Sequence, residues 1–125
     1  MPKIYLSPST QDQNPYVDGS GSEEYWMNLL ADALEPYLYA NTIAFVRNSP
    51  EMTAASSIAQ ANQLGGFDFY LALHSNASGE GQAGKNRGII VFYYPTSSDG
   101  KRAAELFAAR LREVYPLPSK VTTQA

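Results

Sequence analysis

Alternating apolar and polar positions along the chain predict seven elements of secondary structure. Strands are indicated where apolar, aromatic and β-branched residues form short runs, and helices where apolar residues recur every three or four positions. Clusters of glycine, proline and small polar residues separate these segments. The predicted strands are 3–6, 42–47, 67–73 and 88–94, and the predicted helices are 23–38, 53–64 and 99–114.

The order β-α-β-α-β-β-α predicts an α/β fold, because strands that alternate with helices form a mostly parallel sheet covered on both faces. We expect one domain spanning 1–125, with a twisted sheet of about four strands and three helices. The segment 67–73 is almost wholly apolar, which predicts a central strand. The last two strands follow each other directly, so the fourth is expected to run antiparallel to the third. The tail, 119–125, is predicted to contain no element.

Composition and charge exclude several function classes. The chain has 125 residues, a net charge of −3 and no basic run, which argues against binding nucleic acid through its phosphates. It has no cysteine, so neither a disulfide framework nor a thiolate zinc site is possible. No apolar stretch approaches the length of a membrane span, and the N-terminal segment reads as a strand rather than a signal peptide.

Candidate chemistry centres on His74, the only histidine of the chain, which follows the third predicted strand. Glu23 and Glu24 open the first helix, after a long polar loop that leaves the first strand. In a parallel sheet both positions fall at the carboxyl edge, where ligands bind. Imidazole and carboxylate groups are both zinc ligands. The alternatives are a histidine that only ends a strand and glutamates that only complement the helix dipole.

The segment 79–84 matches the dinucleotide-binding pattern G-x-G-x-x-G. That pattern requires a strand before the first glycine and a helix opening at the last, because the helix N-terminus binds the pyrophosphate. Here a predicted strand follows instead. We therefore predict no nucleotide site.

Several short motifs follow one another along the chain. They are Ser7-Pro8-Ser9-Thr10, Glu24 with Asn28, Val46-Arg47-Asn48, Ala61-Asn62, Leu73-His74-Ser75-Asn76-Ala77 and Arg87-Gly88. The motifs are individually unspecific, and their order and spacing together indicate a family. From Lys3 to about Val114, the chain resembles the catalytic domain of zinc-dependent N-acetylmuramoyl-L-alanine amidases, the bacterial cell-wall amidases.

The resemblance implies hydrolysis of the amide between N-acetylmuramic acid and L-alanine in peptidoglycan, at the bacterial cell wall. It implies a Zn²⁺ cofactor with Glu24 and His74 as ligands. Gln11 is the expected third ligand, with Asp12, Gln13 and Asn14 as alternatives. Residues expected to contact substrate are Asn76, Arg47 and Asn14, although Asn76 and Arg47 are equally well explained as structural residues. Tyr16, Tyr93 and Tyr94 are candidates for stacking on sugar, although the position of Tyr93 on a predicted strand favours burial.

Two departures from the family pattern affect this interpretation. Thr10 stands where the family has its first histidine ligand, and a neutral amide in that role would bind zinc more weakly. The family also has a catalytic glutamate on a last strand, which is not found here, so we expect a C-terminally incomplete domain. An open sheet edge would then favour dimerisation. The alternative function is a non-catalytic muropeptide-binding module of the same fold.

Overall fold

The computed structural model describes residues 1–11, 15–76 and 86–125. The chain divides into two compact units, Met1–Ala77 and Ser78–Ala125, where the sequence predicted one domain. The α/β prediction is confirmed, with a sheet of three parallel strands and a second sheet of two. The elements are β1 (Lys3–Pro8), α1 (Glu23–Ala40), β2 (Ala44–Arg47), α2 (Ala54–Leu64), β3 (Phe69–Leu73), β4 (Ile89–Phe92), α3 (Ser98–Val114) and β5 (Val121–Gln124).

The sheet of the first unit has the strand order β2-β1-β3. Both pairings are parallel, as predicted. The central strand is β1, whose last four residues are buried, and β3 lies at an edge. The prediction that β3 is central is therefore wrong. Although its residues are almost all apolar, β3 has a neighbouring strand on one side only within the described part of the chain. Its side chains are partly buried, and Ala72 is exposed.

Two helices cover opposite faces of this sheet. Leu6 of β1 packs with Ala31 and Leu38 of α1 in the buried core. Because side chains alternate along a strand, Tyr5 points to the other face, where its hydroxyl donates a 2.6 Å hydrogen bond to Gln60 of α2. The predicted covering of both faces is thus confirmed for the three-stranded sheet.

The start of α1 is fixed by a side-chain cap. The Ser22 hydroxyl accepts a hydrogen bond from the backbone N–H of Tyr25, which satisfies one of the free donors of the first turn. The helix then continues through Pro36 to Ala40. Not all of its apolar residues fit on the face that packs against the sheet, and several remain exposed to solvent. Apolar residues of α1 that remain exposed are Tyr25, Trp26, Leu29, Leu30, Tyr37 and Tyr39.

In the second unit, β4 pairs in parallel with β5, and α3 connects them. The tail predicted to be without structure therefore contains a strand. Within the described residues, β4 pairs with β5 and not with β3, so the sheet of the first unit has three strands where about four were predicted. The Arg112 guanidinium fixes β5 by donating to the Val121 carbonyl at 3.0 and 3.1 Å.

Gly88 precedes β4 at a φ of +142°, and a Cβ there would lie 2.5 Å from the Lys120 carbonyl oxygen. Only glycine fits this close approach of the two strands. No helix in the described part of the chain is long and apolar enough to cross a membrane.

Candidate metal and substrate site

Three strand ends meet at the carboxyl edge of the first sheet. Pro8 is opposite Leu73 in the register of β1 and β3, and Leu6 is opposite Arg47 in that of β1 and β2. Two backbone hydrogen bonds extend these pairings beyond the strands, from Ser9 N–H to the Leu73 carbonyl at 2.9 Å and from Asn48 N–H to the Leu6 carbonyl at 3.1 Å. The residues that follow each strand are thereby held side by side.

His74 meets a carboxylate from the first turn of α1 at this edge. Its Nδ1 lies 2.9 Å from Oε2 of Glu23. The Glu23 side chain is 7% exposed and that of His74 is 41% exposed. The carboxylate is therefore buried, whereas the imidazole is accessible to solvent. The helix N-terminus favours a negative charge at Glu23. The expectation that a glutamate of the first helix and the histidine share one edge is confirmed.

The glutamate in contact with His74 is Glu23, whereas the family resemblance pointed to Glu24. Glu24 is partly buried one position further along the helix. Among the described residues it forms no ion pair with His74, and its backbone carbonyl accepts a 2.7 Å hydrogen bond from Asn28. The carboxylate partner of His74 is therefore the helix residue adjacent to the predicted one.

A cavity of about 370 Å³ opens beside His74. Its lining combines hydroxyl and amide groups with an apolar floor, and among the described residues it includes no Asp, Glu, Lys or Arg. Such a surface suits an uncharged ligand with both hydrogen-bonding and apolar parts. Residues that define it are Thr10, Gln11, Thr53, Ile58, Tyr70 and His74.

Asn48, a residue not predicted to contribute, fixes the walls of this cavity. It is 7% exposed, and its Nδ2 donates towards Ser7 Oγ at 3.3 Å, the Pro8 carbonyl at 3.1 Å and Ser57 Oγ at 3.0 Å. Tyr70 adds a 2.9 Å hydrogen bond from its hydroxyl to Ser7 Oγ. The available sequence signal was a polar residue directly after a predicted strand, which is also typical of a residue that only ends the strand.

Arg47, predicted to contact substrate, is held by α1. Its NH1 lies 2.6 Å from both Asp32 and Glu35, and its NH2 donates to the Asn28 backbone carbonyl and Oδ1 at 3.1 and 3.0 Å. Burial alone would lower the Arg47 pKa, but the two carboxylates outweigh it and the pKa is raised. The guanidinium therefore ties the end of β2 to the helix that carries Glu23.

Other predicted residues fall at or near the same edge. Gln11 lines the cavity, and its backbone N–H donates to Ser9 Oγ at 3.2 Å. Asn76 is exposed two residues beyond His74, and the intervening Ser75 hydroxyl is 2.8 Å from the Tyr16 hydroxyl. The remaining predictions, Asp12, Gln13 and Asn14, lie outside the described residues.

The imidazole of His74 and the carboxylate of Glu23 are both groups that bind divalent metals. Two ligands of one tetrahedral zinc ion lie roughly 3.3–3.6 Å apart, given the usual bond lengths of about 2.0–2.2 Å. The observed 2.9 Å between Glu23 Oε2 and His74 Nδ1 is shorter than that separation and is the length of a direct hydrogen bond. Over the described ranges, no group of three or more His, Asp or Glu residues is assembled. The third-ligand candidates named from the sequence are Gln11, whose side chain offers a neutral oxygen, and residues 12–14, which lie outside the described ranges.

Comparisons of the chain with protein-family models, with curated proteins and with solved structures give no significant match.

Proposed function

We propose that this chain is a metal-dependent amidase that hydrolyses the amide between N-acetylmuramic acid and L-alanine in peptidoglycan. The observation that carries the proposal is the pairing of His74 with Glu23 at the carboxyl edge of a parallel sheet, beside the 370 Å³ cavity. The order of the sequence motifs supports the assignment of peptidoglycan as the substrate. The pairing supports Glu23, rather than Glu24, as the carboxylate ligand.

In this proposal Glu23 and His74 hold the metal, and Gln11 supplies a weaker oxygen ligand. When bound, the metal would polarise the amide carbonyl and lower the pKa of a coordinated water. Glu23 is suited to the role because its carboxylate is buried at a helix N-terminus, where its charge is stabilised without contact with water. His74 is suited because its ring is fixed by Glu23 and is still partly exposed.

The cavity has the properties that an uncharged acyl–peptide junction requires. Hydroxyl and amide groups of Thr10, Gln11 and Thr53 can bond a substrate amide, while Ile58 and Ala72 provide apolar surface for its methyl groups. Binding energy at such a wall orients the amide towards the His74 side and reduces the entropic cost of reaction. Arg47 and Asn48 serve as supports for the helix and loop that carry the ligands.

Turnover of a defined muropeptide tests the proposal. The zinc-supplemented chain is incubated with N-acetylmuramoyl-tripeptide, and mass spectrometry follows the release of N-acetylmuramic acid and free tripeptide. We expect both products, with a rate at least 100-fold lower in His74→Ala. Glu105→Gln, which removes an exposed carboxylate of α3, should retain the parent rate. No release by the folded, zinc-supplemented parent chain would refute the proposal.

A binding module that holds muropeptide without hydrolysing it is the second candidate. It is favoured by one observation, namely that the described residues assemble only two strong metal donors, Glu23 and His74. A general acid–base residue is usually worth about 100- to 10,000-fold in rate, so a site without one would bind substrate with little turnover. Saturable binding of the muropeptide without product release would establish this alternative.

A further inference from the structure

Two aromatic residues in the first turn of α1 form an exposed pair. Tyr25 is 54% exposed and Trp26 is 39% exposed, although both are large rings. Their ring centroids are 5.2 Å apart and their planes are inclined by 88°, an edge-to-face arrangement. Aromatic pairs of this geometry stabilise each other beyond the area they bury. The two rings therefore form one fixed surface rather than two independent side chains.

The preceding loop holds this pair in place. The indole Nε1 of Trp26 donates a 3.0 Å hydrogen bond to the Ser20 carbonyl. Gly21 has a φ of +134°, and a Cβ at this position would lie 3.0 Å from both Trp26 Nε1 and Tyr25 Cδ2. The backbone thus packs directly on the rings, which requires glycine. Orienting an indole so firmly while leaving it partly exposed is typical of a binding surface.

The pair adjoins the candidate site. Trp26 is three residues after Glu23, and residues at this spacing are neighbours on a helix surface. The loop that holds the rings is closed by a bridge between Pro15 and Ser22. It is also joined to the residue after His74, through the 2.8 Å contact of the Tyr16 and Ser75 hydroxyls. One loop therefore positions the aromatic pair and borders the His74–Glu23 pair.

We infer that Tyr25 and Trp26 form a stacking surface for an N-acetylated hexosamine of a glycan strand. The inference rests on the proposed function, and adds to it a site for the sugar chain beside the site for the amide. A pyranose ring offers a flat face of C–H groups to an indole, while its hydroxyls remain available to polar neighbours such as Ser20. The first turn of α1 carries two carboxylates and no basic residue, which disfavours an anionic ligand and suits a neutral sugar.

Trp26 is the only tryptophan of the chain, so its fluorescence reports directly on this surface. The probe is chitotetraose, an oligosaccharide of N-acetylglucosamine without peptide, titrated into the full chain. We expect a saturable change in emission, with binding weakened at least tenfold in Tyr25→Ala. The matched control is Tyr37→Ala, which removes a 69% exposed tyrosine about three turns further along α1 and should leave the affinity within twofold.

His74→Ala separates this inference from the proposed function. It should bind chitotetraose like the parent chain while losing hydrolysis. Binding without hydrolysis in the parent supports the sugar site and refutes the amidase, whereas hydrolysis without a chitotetraose response refutes the sugar site alone. Equal weakening by Tyr25→Ala and Tyr37→Ala would overturn the inference. So would an emission change that depends on protein concentration, because it would show that a second copy covers the rings.

Discussion

Arg47 at the end of β2 lies 2.6 Å from Asp32 on α1 and is only 19% exposed, so the guanidinium links strand and helix from a largely buried position. Glu35 lies at the same distance from the same nitrogen. The helix held in this way carries Glu23 at its start. The relationship explains how the position of a ligand candidate depends on a residue that does not touch it.

Arg47→Ala is expected to destabilise the chain without selectively weakening substrate binding. The substitution removes four hydrogen bonds and leaves Glu35 partly buried without its cation, so we expect a loss of about 2–4 kcal/mol in the free energy of unfolding. Urea denaturation measures it. Arg102→Ala is the control, because that arginine and its partner Asp99 are 78% and 88% exposed. A stable Arg47→Ala protein with only a raised KM would contradict this account and restore the substrate-contact prediction.

Asn48→Ala should also destabilise the first unit. The Asn48 amide donates towards three oxygens on β1 and α2, and its removal leaves the Pro8 carbonyl and Ser57 Oγ without this donor, while Ser7 Oγ still accepts from Tyr70. We expect a loss of about 1–3 kcal/mol in the free energy of unfolding. Asn62→Ala, at an exposed position of α2, should change it by less than about 0.5 kcal/mol. Equal effects of the two substitutions would show that the Asn48 network contributes nothing specific.

Tyr5 predicts an alkaline limit of stability. Burial raises the pKa of its hydroxyl, with a smaller contribution from Tyr70. The folded state therefore holds the proton more tightly than the unfolded state, whose tyrosine pKa is about 10. The contribution of Tyr5 to the free energy of unfolding is therefore fully present below the unfolded-state pKa. It is lost as the pH rises through the folded-state pKa.

Urea denaturation at neutral and strongly alkaline pH tests this expectation. Tyr5→Phe should reduce the loss of stability between the two conditions, at a cost near neutrality of about 0.5–1.5 kcal/mol for the lost hydrogen bond to Gln60. Tyr37→Phe, at an exposed tyrosine, should keep the alkaline loss of the parent. An unchanged alkaline loss in Tyr5→Phe would contradict the assignment.

Gln11→His should strengthen metal binding. A neutral amide oxygen is a poor zinc ligand, whereas imidazole is a strong one, and Gln11 lines the same cavity as His74. We expect zinc affinity to rise at least tenfold, as measured by competition with a chromophoric chelator. Asn62→His is the control for adventitious binding by an added surface histidine. The same gain in both variants would remove Gln11 from the proposed ligand set.

The fold class could be read from the sequence because β-α alternation leaves few topologies open, and the parallel direction of the first three strands followed from it. The position of β3 in the sheet could not be predicted. A strand whose two faces are both covered has the same apolar sequence pattern at the edge of a sheet as in the middle. The strand in the tail was missed because Val121–Gln124 is short and mostly polar. Its pairing with β4 is a long-range contact that local pattern does not encode.

The sequence predicted that His74 and the start of the first helix share one edge of the sheet, but it did not indicate which of the two glutamates contacts His74. Glu23 and Glu24 are about 100° apart around the helix axis, on either side of the direction set by Ala31 and Leu38. Helical periodicity alone would favour Glu24, which lies about 30° from that direction, whereas Glu23 lies about 70° from it. The contact of Glu23 with His74 depends on how α1 lies against the strand ends, which Arg47 and Asn28 fix through side-chain hydrogen bonds.

The zinc content of the purified chain, determined by mass spectrometry beside Glu23→Ala, Glu24→Ala and His74→Ala, tests whether Glu23 and His74 bind a metal. We expect about one zinc per chain in the parent and in Glu24→Ala, and loss of zinc in Glu23→Ala and His74→Ala. Circular dichroism of each variant establishes that the fold is retained. A parent chain that takes up no zinc when it is supplied, or zinc lost in Glu24→Ala but kept in Glu23→Ala, would contradict this expectation.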